Sequence, residues 1–118
     1  MKYMLLVYLD EKAASEAERE HCYIESAQLA QDLSAAGKFL SAGPLHPTAT
    51  ATSVRVRNGK RLVTDGPFAE TREQLGGYYL IDARDLDDAM SIAERIPMAK
   101  VGTIEIRPVL EIKGLPTT

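Results

Sequence analysis

The side chains best suited to chemistry in this 118-residue chain fall in three places. Near the C-terminus, Glu105 and Arg107 alternate with Ile104 and Ile106, so a strand there carries both charges on one face and both isoleucines on the other. Arginine grips a carboxylate or phosphate in bidentate fashion. Two charges entering a partly enclosed space must be paired or must hold a ligand. Tyr78 can add a hydroxyl to that space, and a structural Glu105–Arg107 ion pair is the plainer reading. In the middle of the chain, Asp65 precedes Gly66-Pro67 and Glu70 follows shortly after. An Asp before Gly also starts turns by bonding its own backbone, and Glu70 and Glu73 can pair with Arg72 or Arg55 or stay solvated. Last come the histidines, the usual carriers of general acid–base work. His46, between Leu45 and Pro47, is either a site residue at a strand end or an exposed loop residue. His21 reads as a surface partner of Glu25 one helical turn on. The candidate pocket is therefore Arg107, Glu105, Asp65, Glu70, Tyr78 and His46.

Other chemistries lack their residues. Two histidines 25 positions apart and a single cysteine, Cys22, next to His21 give no metal-ligand spacing. There is no P-loop, no dinucleotide fingerprint and no nucleophile elbow, so neither metal nor cofactor is expected. Arg55, Arg57, Lys60 and Arg61 form a short basic ribbon, too small for a nucleic-acid platform, and a net charge of −3 argues the same way. That ribbon is either a solvated hairpin or a docking surface for an acidic partner. One cysteine allows no intrachain disulfide, which suits a reducing cytoplasm. No stretch approaches the roughly 20 apolar residues of a membrane span.

These residues must be positioned by a small set of elements. Tyr3–Leu9 is apolar at both alternating sets of positions and reads as a strand covered on both faces. Ser15-Glu16-Ala17-Glu18 has the form of a capping box that starts a helix. Its buried stripe is predicted at Cys22, Tyr23, Ser26, Ala27, Leu29, Ala30 and Leu33, and Gly37 ends it. Lys38 to His46 is a short strand broken at Gly43-Pro44. Asn58-Gly59 is a two-residue hairpin turn, which places Arg57 opposite Lys60 and Arg55 opposite Leu62. Val56 with Arg61 and Val54 with Val63 then form the more apolar face. Phe68–Leu75 is a polar loop or single helical turn in which Phe68 plugs the core. Gly76-Gly77 opens a strand over Tyr78–Ile81. Asp85 caps a second helix with Leu86, Ala89, Met90, Ala93 and Ile96 on its buried stripe. Thr103–Val109 is the last strand.

The order βαββαβ, with an extra hairpin in the middle, predicts an α+β, ferredoxin-like domain over residues 1–112 and a frayed tail over 113–118. At 45% apolar and 26% charged residues the composition is that of an ordinary globular domain. Two helices cover only one face of a sheet, yet two of the strands are apolar on both. A second copy of the chain, joined sheet to sheet, is the expected cover.

Val63-Thr64-Asp65-Gly66-Pro67-Phe68-Ala69-Glu70-Thr71, followed by Gln74-Leu75-Gly76-Gly77-Tyr78 and Glu105-Ile106-Arg107-Pro108-Val109, closely resembles the DGPF branch of the YCII-related family. The likeness runs from Met1 to Val109. It implies a dimeric α+β barrel of ferredoxin-like subunits, and an association with extracytoplasmic-function sigma factors. The wider family is associated with acid–base chemistry through a helix-borne His paired with an Asp. Counting back from Gly37, with Gly43-Pro44-Leu45 as the following landmark, the His position is Ser26 here, and the Asp position before a Pro is Ile96.

Two readings follow. In one, the chain is a homodimer that either binds, or acts as an enzyme on, a small anionic compound in the cleft between the two sheets. In the other, it is a non-catalytic regulatory module that contacts a protein partner.

Overall fold

The computed structural model describes residues 1–116, so positions 117 and 118 of the expected tail lie outside the described residues. Strand β1 spans Lys2–Leu9, helix α1 Glu16–Ala35, strand β2 Phe39–Pro44, and strands β3 and β4 Thr52–Arg57 and Lys60–Asp65. Strand β5 spans Gln74–Asp82, helix α2 Leu86–Ala93 and strand β6 Thr103–Pro108. Four strands form one antiparallel sheet in the order β2-β5-β1-β6, while β3 and β4 pair only with each other. With the hairpin set aside, this is the ferredoxin-like arrangement the element order predicts, with both central strands running through the middle of the sheet.

Local signals explain most element ends. The Ser15 hydroxyl accepts from the Glu18 amide at 3.2 Å, and the Glu18 carboxylate accepts from the Ser15 amide at 3.3 Å, closing the capping box. At the other end Gly37 has φ +74°, and the Lys38 and Gly37 amides donate to the Leu33 and Ser34 carbonyls. Only a residue without Cβ takes that left-handed geometry at little cost. Asn58 and Gly59 both have positive φ, so the β3–β4 turn is the primed type, and the register is the one counted outward from it.

The core lies on one sheet face. Tyr3, Leu5 and Val7 of β1 and Tyr79 and Ile81 of β5 pack with Leu29 and Leu33 of α1. Ala89, Ile92, Ala93 and Ile96 complete it from the α2 side. The stripe predicted for α2 is thus corrected: Leu86 and Met90 are exposed, and Ile92 faces inward instead. Asp88 fixes that rotation. Among the described residues it is the one buried charged side chain, and it accepts from Lys38 Nζ at 2.9 Å and the Arg84 amide at 3.0 Å.

Those two bonds hold the Asp88 carboxyl down at about 2. An unfolded Asp titrates near pH 3.9, so the ionised form stabilises the fold above that pH. The contribution is lost as pH falls from about 4 through 2. Melting temperature should therefore drop across this window in the wild type. In Asp88→Asn that part of the drop should be absent, from a starting point several degrees lower at pH 7.

The other sheet face has no layer against it. Met4 and Leu6 of β1 and Tyr78 and Leu80 of β5 are half-buried there. The β3–β4 ribbon projects away from the sheet and is exposed along nearly its whole length. The slab is 21 Å thin, and its radius of gyration is 16.0 Å, against about 13.5 Å for a compact chain of this length.

Candidate functional site

A cleft of about 570 Å³ opens between the first half of α1 and the sheet. Its cause is readable in side-chain size. Of the predicted α1 stripe only Leu29 and Leu33 are buried. In the N-terminal part Cys22 and Ala30 pack partly against the core, and together with Tyr23, Ser26 and Ala27 they line open space. Four of these five residues are small, and they do not fill the distance to the sheet. On the facing side stand Val7 and Leu9 of β1, Phe39 and Ala42 of β2, and the Gly76-Gly77 pair of β5, with Ile96 and Met98 behind.

The two glycines belong to the architecture of the wall rather than opening the strand as predicted. The β1–β5 register shifts between Val7 and Tyr8, with Gly76 as the extra residue of β5. A Cβ on Gly77 would sit 3.1 Å from the Gly43 carbonyl oxygen, so any larger residue would push β2 back by a few tenths of an ångström.

The interior of the cleft is uncharged. The Tyr79 hydroxyl donates to the Ser26 carbonyl at 2.9 Å, and burial raises its pKa. Burial, reinforced by Glu25 and Glu18, also raises the Cys22 thiol, so it is a thiol and a poor nucleophile at neutral pH. Charges gather at the mouth, where Glu11, Glu16 and Glu20 stand with Arg19. Glu11 is committed: its two carboxylate oxygens accept from the Thr48 amide at 3.0 Å and the Thr48 hydroxyl at 2.6 Å, clasping the turn after β2.

The six residues of the expected pocket are not brought together within one subunit. Tyr78 borders the cleft through its place in β5, but its side chain belongs to the uncovered face, across Leu6 from Glu105 and with its hydroxyl 3.4 Å from that of Ser41. Glu105 and Arg107 project from the uncovered sheet face, as the alternation predicts, in register with Leu6 and Met4. They form no ion pair with each other. Glu105 instead accepts from the Tyr8 hydroxyl at 3.2 Å, and burial together with the Glu105 charge raises the Tyr8 pKa. Next to them Thr103 donates to Glu73 at 2.7 Å.

Asp65 ends β4 opposite Thr52, where the turn is held by the Gly66 amide on the Ala51 carbonyl. Glu70 is exposed in the loop that follows, and His46 is exposed between two residues that line the cleft mouth. His21 does pair with Glu25 on the outer face of α1. Phe68 corrects the expectation of a core plug. It is 80% exposed, because the loop that carries it leaves the ribbon outside the two layers that make the core. That loop also has no helical turn.

Sequence reasoning missed the cleft itself. The signal was the run of small side chains on a stripe assumed to be covered. Ser26 and Ile96, the positions aligned above with an acid–base pair, both line this cleft. Here they contribute a hydroxyl and a hydrocarbon.

Among the described residues no group of three or more His, Cys, Asp or Glu side chains could hold a metal ion. No helix among them is long and apolar enough to cross a membrane.

The sequence compares with known proteins along almost its whole length. An uncharacterised protein of Rhizobium meliloti (strain 1021) is 40% identical over 117 residues, covering 92% of this chain and 91% of that one. In three dimensions the chain is similar to 5-chloro-2-hydroxyhydroquinone dehydrochlorinase (TftG) from Burkholderia phenoliruptrix AC1100, solved in complex with 2,5-dihydroxybenzoquinone. The TM-score is 0.55 at 16% identity, over 96% of this chain and 97% of that one. At that identity the likeness is one of fold. The sequence pattern of the YCII-related domain matches residues 1–113, and with a relative this similar over nearly the full length, the chain belongs to the YCII-related domain family.

Proposed function

We propose that this protein binds a small, predominantly apolar ring compound in the cleft between α1 and the sheet. The observation that carries the reading is the cleft: about 570 Å³, apolar within, with its few polar groups neutral or already bonded. Pockets that take small organic ligands have this size and this lining. By size, a ring such as the 2,5-dihydroxybenzoquinone of the structurally similar dehydrochlorinase is well within that volume; its enolic hydroxyls are vinylogous carboxylic acids, ionised at neutral pH, so it measures size and not charge. The mouth carries three carboxylates against one arginine, which favours an uncharged ligand there over an anionic one. An anionic group is better matched by Arg107 on the uncovered sheet face, and a second copy seated on that face would enclose it. The half-buried Met4, Leu6 and Leu80 support such a homodimer.

Thermal-shift screening tests the reading directly. A ligand at one hundred times its Kd stabilises by about 2.7 kcal/mol. Neutral quinols and phenols are expected to raise the melting temperature, and matched benzoates to do so far less. Ala27→Trp, which places an indole at the cleft wall, should abolish the shift while leaving the ligand-free melting temperature within a few degrees. A library of such rings that gives no shift, or a shift that survives Ala27→Trp, would remove the cleft as the site.

A further inference from the structure

Two exposed apolar patches on this chain stand beside charges of opposite sign. The first is the β3–β4 ribbon. Its register puts Val54, Val63 and Val56 on one face together with Arg61, and these valines are 54–63% exposed. Arg55, Arg57 and Lys60 complete its basic field from the reverse face. A two-stranded ribbon with a bare apolar face is marginal in water by itself, so something covers it. A second ribbon is a poor cover, because it would bring the two Arg61 side chains onto one face with no carboxylate between them.

The second patch is on α1. Ile24 is 70% exposed and Tyr23 about half exposed, and α1 carries Glu16, Glu18, Glu20, Glu25 and Asp32 against Arg19. Glu16 and Glu20 stand one helical turn apart at the cleft mouth, and among the described residues neither is in an ion pair. Like charges at that spacing destabilise a helix unless a cation joins them.

We infer that the ribbon of one copy docks on α1 of a second copy, valines on Tyr23 and Ile24, with Arg61 on Glu16 and Glu20. Apolar centre and charged rim on one patch match apolar centre and opposite rim on the other, which is the anatomy of a specific interface. A two-fold axis makes the contact twice, each ribbon on the partner's helix. The docked ribbon then forms the outer wall of the cleft, which in one copy alone stays open at Tyr23. The contact is separate from the uncovered sheet face and needs no ligand in the cleft.

Cys22 supplies the readout. It is the only cysteine in the sequence and it lines the cleft beneath this patch, so a docked ribbon shields it from a thiol reagent such as Ellman's reagent. Charge reversal on the docking face of the ribbon (Arg61→Glu) is expected to label roughly tenfold faster than wild type. Reversal of the helix (Glu16→Lys with Glu20→Lys) should do the same. Mixed in equal amounts, the two variants can re-form both contacts, reversed ribbon on reversed helix and native ribbon on native helix. Slow labelling should return in the mixture. Val54→Ser with Val63→Ser, which keeps every charge, should also label fast. Far-UV circular dichroism identical to wild type shows that each variant is folded, since the ribbon lies outside the core. Unchanged labelling in either reversal would overturn the contact. So would fast labelling that the mixture fails to slow, the result expected if the ribbon serves a different acidic protein. A negative ligand screen leaves this experiment untouched, because no ligand is in it.

Discussion

Replacing Leu5 by alanine is expected to lower the unfolding free energy by about 3–4 kcal/mol. Leu5 is wholly buried in the central strand, with Tyr79 on one neighbour and Ile106 on the other, so the surrounding backbone is tied on both sides and cannot collapse into the vacancy. The lost transfer energy and the cavity term therefore add. Leu40→Ala serves as the control: Leu40 sits where the β2–β5 register shifts and is exposed, and its truncation should cost under about 1 kcal/mol. Urea unfolding of both variants measures the difference, and an unchanged m-value shows that the same surface is exposed in each. Binding should suffer as well. Val7, two residues along on the same face, is a wall of the cleft, and a loosened β1 blurs that wall before the domain unfolds. A cost below 1 kcal/mol for Leu5→Ala would mean that the core has been put on the wrong face.

What the sequence makes legible is what short-range chemistry decides. The capping box at Ser15, the Asn58-Gly59 turn with its register, the Asp85 cap and the alternation of Glu105 and Arg107 all depend on neighbours a few residues away. Each is found in place. Helical periodicity also finds the sheet-facing side of α1, but it cannot say how far away the sheet is. Cys22, Ser26 and Ala30 read as core for that reason, although they border the cleft. The α2 stripe fails differently. Eight residues make barely two turns, and the Lys38–Asp88 contact, fifty positions apart in sequence, fixes which side turns inward. Glu11 and Thr48, thirty-seven positions apart, shape the cleft mouth through a clasp that no local pattern announces. Phe68 is the clearest case of burial inferred from residue type alone, since a large aromatic is expected inside until the loop is seen to leave the core.

The cleft also changes how the candidate residues are weighed. Six charged, hydroxyl or imidazole side chains suggested a pocket because catalysis needs such groups, and the fold distributes them over the open face, the ribbon and two loops. The enclosed space is lined instead by residues with almost no acid–base capacity. Ser26 has its carbonyl engaged by Tyr79, and Ile96 has nothing to donate. A cavity with an apolar interior, its charged side chains confined to the mouth, holds a ligand by shape and desolvation. Binding of a ring compound follows from this more directly than proton transfer does.

Gly102→Ala should be comparably damaging to Leu5→Ala, at about 3 kcal/mol, for the opposite reason. A Cβ at position 102 would lie 2.0 Å from the Tyr8 carbonyl oxygen and 3.1 Å from its carbonyl carbon. Both are backbone atoms of the central strand, so no rotamer change relieves the clash. Gly102 is also held from its own side by its amide, which donates to the Met98 carbonyl at 2.7 Å, and β6 begins at the next residue. The added methyl must therefore push β6 off β1 at the Tyr8–Thr103 pair. That displacement reaches the uncovered face at once, because Thr103 donates to Glu73 and Tyr8 to Glu105 within the same two residue rows. Val101→Ala, at an exposed neighbour, should stay within about 0.5 kcal/mol of wild type and shows that the effect belongs to the close approach. Amide exchange along β6 separates the causes. Loss of protection confined to Thr103–Glu105 marks a local separation of the two strands, and a stability equal to wild type would refute the contact altogether.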